Sequence, residues 1–84
     1  MIIVELADGY NGGMHKFNAE PIAVDGALVK LQSAEKPYLI AWKRKDDVLK
    51  AVRQEIKSRY EEQQIHLTED SLDFLTDMYR KESL

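Results

Sequence analysis

Trp42-Lys43-Arg44-Lys45 sets an aromatic ring beside three cations just where the pattern of the chain turns helical. An aromatic on a basic track is how single-stranded nucleic acid is held, with the ring stacked on a base and the cations following the phosphates. Three cations at the positive end of a helix dipole also repel it mildly, so a bound phosphate would complete the arrangement. Lys50, Arg53 and Lys57 extend the track along the following helix at i, i+3 and i+7. The plainer explanation is that Trp42 ends a core strand while the cations solvate the turn, with Asp46 and Asp47 offsetting the repulsion. A net charge of −3 favours that explanation, because nucleic-acid-binding domains are as a rule strongly basic.

The other chemistry-bearing residues do not assemble into a site. Gly9, Gly12 and Gly13 lack the Gly-Lys-Ser/Thr ending of a phosphate loop and lead into a strand, so they read as a hairpin turn. His15 lies on an expected strand and His66 in a connection, and neither has ligands at metal spacing around it. Glu62 stands one helical turn before His66, which makes a weak pair and no more. Asp46-Asp47, Glu61-Glu62 and Glu69-Asp70 are sequence neighbours, which diverge by about 100° on a helix and cannot converge as an acid–base dyad. The four serines carry no nucleophile-elbow glycines, and only two histidines exist to serve as a base. The expectation is a non-catalytic protein with no cofactor, no metal and no small-molecule substrate.

What the chain does sort is charge. Residues 1–42 balance to −2, residues 43–60 to +4 and residues 61–84 to −5. Charge blocks of alternating sign steer association more than they set fold. Eighty-four residues make one small domain, in which only about 60–65% of the unfolded chain's surface can be buried. A hydrophobic content of 44% is too high for a disordered segment. With no cysteine there is no disulfide framework, which points to a reducing, cytoplasmic setting. The first residues have no basic stretch before their apolar run, unlike a signal peptide. The longest apolar run, Tyr38 to Trp42, is far short of the ~20 residues of a membrane span.

The elements that must position these residues divide the chain in half. Residues 1–43 speak in strands: Ile2-Ile3-Val4 with Leu6, then a strand from Met14 to Val24 interrupted at Pro21, then Ala27 to Gln32 and Tyr38 to Trp42. Asp25-Gly26 between two apolar runs is the usual signature of a two-residue hairpin turn. Short connections favour a three- or four-stranded antiparallel meander, with Tyr38–Trp42 expected at its centre. An antiparallel helical pair over 46–63 and 68–82 covers one face, which makes the fold class α+β. Asp46 or Asp47 caps the first helix, and Thr68 the second. Leu67 and Leu72 are spaced as a hydrophobic staple around the Thr68 cap. The expected core is Val4, Phe17, Val29, Leu31, Ile40, Val52, Ile56, Leu72 and Leu75.

The second helix is the more telling surface. Leu72, Phe74, Leu75, Met78 and Tyr79 span an arc of about 160°, wider than the ~100° stripe that one core needs. Either the helix is wedged between the sheet and the first helix, or part of the arc, Phe74 and Met78, docks on a second copy or another protein. Asp70, Asp73 and Asp77 match the spacing of Lys50, Arg53 and Lys57, so an antiparallel pair would level Arg53 with Asp73. Their position nearly opposite the apolar arc argues that they face water instead, free for a basic partner. The leading expectation is a protein-interaction module, an adaptor, inhibitor or assembly subunit, binding through Asp70, Asp73, Asp77, Phe74 and Met78. The alternative is a nucleic-acid-associated protein using the basic segment 43–57.

Overall fold

The computed structural model describes residues 2–7 and 13–84. Of the turn expected at 8–13 only Gly13 lies inside that range, and its φ of +71° is one that glycine adopts without cost. Four strands, β1 (Ile2–Ala7), β2 (Met14–Asp25), β3 (Leu28–Ser33) and β4 (Ile40–Arg44), precede two helices, α1 (Lys45–Glu62) and α2 (Glu69–Ser83). The sheet is an antiparallel meander of order β1-β2-β3-β4. β4 is therefore an edge strand and not the central one, because a meander leaves its last strand outermost. Its five residues and its Lys43 and Arg44 suit an edge, where short length and charge discourage further pairing.

The alternation of the strands selects the face that α1 covers. Val4, Phe17, Ala19, Val29 and Leu31 point inward and join Val48 and Val52 of α1 in one core, with Ile56 packed against it. Ile40 departs from expectation: it is 45% exposed on the outer face, and Leu39, 7% exposed, takes the core position. The turn before β4 explains the exchange. Leu39 donates its N–H to Lys36 O and accepts from Ser33 N, which folds Leu39 inward one residue before the strand starts. Ser33 is itself buried and its hydroxyl accepts the Lys36 N–H at 3.0 Å, so this turn closes without an orphaned polar group.

Pro21 falls where the β2–β3 register shifts, a bulge that accommodates its missing N–H. The hairpin loop lies one residue later than Asp25-Gly26. Asp25 pairs with Leu28, and Gly26 has a φ of +57° while Ala27 does not turn positive, the pattern of a type II′ turn. This loop also serves the next element: Ala27 O accepts the first N–H of α1, that of Lys45, at 2.8 Å. The N-cap of α1 is Arg44, with no side-chain cap, and Asp46 and Asp47 stand in the first turn, where they complement the dipole.

Between the helices Gln64 takes a φ of 61°. Its N–H donates to Glu61 O and that of Ile65 to Tyr60 O, closing α1 in a Schellman motif. Glycine is the usual residue there, and a side chain in this conformation is strained. Gln64→Gly is expected to raise stability by roughly 0.5–1 kcal/mol, read as a higher urea midpoint with an unchanged m-value. Thr68 then opens α2 as expected, its hydroxyl accepting the Ser71 N–H at 3.2 Å.

Candidate functional site

The rotation of α2 about its axis decides which of its side chains are available. Its fully buried residue is Leu72, and Leu75, Thr76 and Tyr79 are half-buried on the same side. Counting about 100° per residue, Phe74 then points roughly 150° away from the middle of that side. Phe74 is 65% exposed and Met78 42%. The helix therefore buries one flank of its apolar arc against α1 and presents the other flank to solvent. Among the described residues, Tyr79 and the terminal Leu84 carry the packing through to the sheet-side core. Leu67, half-buried, lines a shallow hollow with Asp70, Ser71, Phe74 and Leu75, which extends the exposed apolar strip towards the start of the helix.

The same rotation settles the acidic row. Because α2 turns its Leu72 flank and not the middle of its arc towards α1, Asp73 comes round to Arg53. The Arg53 guanidinium bridges Asp73 and Glu69, two carboxylates one turn apart. The expectation that this register would stay unpaired is corrected here at Arg53–Asp73. That ion pair, chiefly the hydrogen bond to Asp73, raises the Arg53 pKa above its ordinary value. Asp77 is engaged by cations of its own helix. It accepts from Arg80 at 2.6 Å and lies 3.1 Å from Lys81, and these bonds, Arg80's first, hold its carboxyl below the ordinary value. Asp70 is exposed beside Phe74.

The basic residues do not converge. Trp42 and Arg44 lie on the outer face of β4, and Lys30 places its ammonium 5.9 Å from the Trp42 ring. Lys43 points to the opposite face, half-buried, where it lines a hollow with Val4, Met14, Asp47 and Val48. Alternation along a strand separates Lys43 from its neighbours by necessity. Lys45 is the first residue of α1, Lys50 and Lys57 are exposed, and Arg53 is engaged by α2. Lys16, paired with Glu5 across β1 and β2, lines a hollow with Gln54 and Glu55 of α1, so the charges around it are mixed.

Among the described residues, no group of three or more His, Asp or Glu could hold a metal ion, and no helix is long and apolar enough to cross a membrane. Tyr79 is a feature that sequence reasoning counted only as apolar. Its hydroxyl is buried, no group among the described residues hydrogen-bonds it, and burial together with the Glu20 carboxylate pushes its pKa above 10.0. A raised acid pKa stabilises the fold fully below the unfolded value near 10 and less as pH climbs through the folded value. Thermal stability is therefore expected to fall more steeply above pH ~10 in the wild type than in Tyr79→Phe, whose ring has no proton to lose.

In comparisons with known proteins, the chain matches no family model, no curated protein and no solved structure. It is a four-stranded antiparallel meander with two C-terminal helices, of class α+β, and its surface chemistry must speak for itself.

Proposed function

We propose that this chain is a non-catalytic protein-interaction module whose binding surface is the outward flank of α2. One observation carries the reading: Phe74 stands 65% exposed on the side of α2 away from α1, with Met78 one turn further on. A lone exposed apolar residue is ordinary, but two in register along one helix, flanked by Leu67 and by charged residues, have the composition of a docking strip. Aromatic and methionine side chains are the residues most enriched where proteins bind one another. Asp70 at the rim supplies charge for orientation, whereas Asp73 and Asp77 already have partners within the chain.

The test is a photo-crosslinking amino acid placed at position 74, with the same group at Asp25 on the hairpin as control, in cells producing the protein. Adducts to protein at 74 and none at 25 are expected. No adduct at either position would end the reading. A second reading is favoured by Trp42 and Lys30 on the open sheet face, which form a small stacking platform for single-stranded nucleic acid. A Trp42 fluorescence titration at rising salt checks it: phosphate contacts require affinity to fall steeply with salt. Absence of binding at low salt would retire it.

A further inference from the structure

We infer that the occupant of the outward flank of α2 is a second copy of the same flank, laid antiparallel across a two-fold axis. This rests on the interaction reading above and names its partner. The argument is one of register. At about 1.5 Å per residue, an antiparallel pair whose two-fold axis passes near residues 75–76 sets Phe74 of one copy against Met78 of the other, twice. The same register levels Asp70 with Lys81 of the other copy.

The charges fall on the correct sides. Asp70 and Lys81 lie within about 20° of each other around the helix. In a two-fold antiparallel pair each flank meets its own counterpart, so an acid and a base on one flank face their opposites. Two Phe74–Met78 contacts are thus rimmed by two Asp70–Lys81 ion pairs, a self-complementary patch. Both rim residues are exposed, and among the described residues the ion pair of Lys81 is with the half-buried Asp77 on its own helix. A parallel arrangement would instead set Asp70 against Asp70 and Lys81 against Lys81.

The strip is about three turns long, smaller than a standard interface, so the dimer is expected to be weak, on the order of 10–100 μM. Sedimentation equilibrium on the purified chain tests it. Asp70→Lys alone and Lys81→Glu alone should each weaken self-association by at least ~10-fold, because each places like charges at both rims. An equimolar mixture of the two restores both opposite-charge pairs and should dimerise like the wild type. So should the double variant D70K/K81E. Circular dichroism of each variant confirms that α2 is formed before the masses are compared.

A wild type that stays monomeric to about 1 mM overturns the inference, as do single variants that dimerise undiminished or a mixture no better than its components. The two readings fail separately. Adducts at position 74 to a different chain, with a monomeric wild type, keep the interaction module and remove the homodimer. No adducts and no dimer remove both.

Discussion

Leu72→Ala is expected to destabilise the protein by about 2–4 kcal/mol and to loosen α2 before the sheet. Leu72 is 2% exposed and is the residue of α2 that is fully buried. Truncating it removes its burial and leaves a cavity that Leu75 and Tyr79, both already half-buried, can fill only in part. For a domain of this size such a loss is a large share of a total stability of roughly 5–10 kcal/mol. Its effect should also be local, since among the described residues α2 meets the remaining core through Tyr79, with Leu84 just past its end. Hydrogen exchange should show faster exchange of the 72–83 amides at denaturant concentrations where β2 and β3 remain protected. Uniform acceleration across the sheet and both helices would mean instead that the helical pair and the sheet unfold as one unit.

Phe74→Asp should do the reverse: leave the fold intact and abolish binding. The ring is mostly in water, so its removal forfeits little burial, and stability should stay within about 0.5 kcal/mol of the wild type. An aspartate in the middle of an apolar docking strip would need desolvation on binding, and association should weaken by at least ~100-fold. The contrast between the two variants is the useful quantity. Leu72 and Phe74 are two positions apart on one helix, and they should separate stability from recognition cleanly. If Phe74→Asp lowers the thermal midpoint as much as Leu72→Ala does, then Phe74 is core and the binding surface lies elsewhere.

The signals that were legible in the sequence are those that depend on neighbours a few residues away. Thr68 caps α2 because its hydroxyl reaches Ser71 N, and nothing distant can alter that. Pro21 had to sit at a break in pairing because it has no N–H, and a register shift lies there. The inward Phe17, Val29 and Leu31 of β2 and β3 follow from alternation, whereas the central place of these two strands does not, since the apolar run Tyr38–Trp42 pointed to β4 instead.

Where structure and sequence pattern differ, backbone hydrogen bonds that no residue type announces decide the outcome. Leu39 takes the core place of Ile40 because two turn hydrogen bonds begin β4 two residues later than the apolar run does. The hairpin loop moved to Gly26-Ala27 while Ala27 O took the first N–H of α1, an interaction between elements that no local motif announces. Gln64 adopts a glycine-like φ because the Schellman bonds to Tyr60 and Glu61 hold it there.

The candidate site illustrates the same division. The wide apolar arc of α2 was visible, and so was the register that levels Arg53 with Asp73. Which flank of the arc would be buried was not, because that depends on how α2 leans on α1. Once Leu72 and Tyr79 take the inner side, Phe74 and Met78 are left outside and Asp73 meets Arg53. One rotation thus accounts for both the ion pair and the exposed strip.

The most direct test of that strip uses the protein's own methionines. Met14 and Met78 are both exposed, at 53% and 42%, on different parts of the molecule. Their oxidation by brief hydroxyl-radical exposure can be compared in dilute purified protein and in the producing cell, read by mass spectrometry of the two peptides. The account predicts comparable oxidation of both in dilute solution and selective protection of Met78 in the cell, where a partner covers α2. Equal oxidation of Met14 and Met78 in both settings would show that the outward flank of α2 stays bare, and would contradict the account.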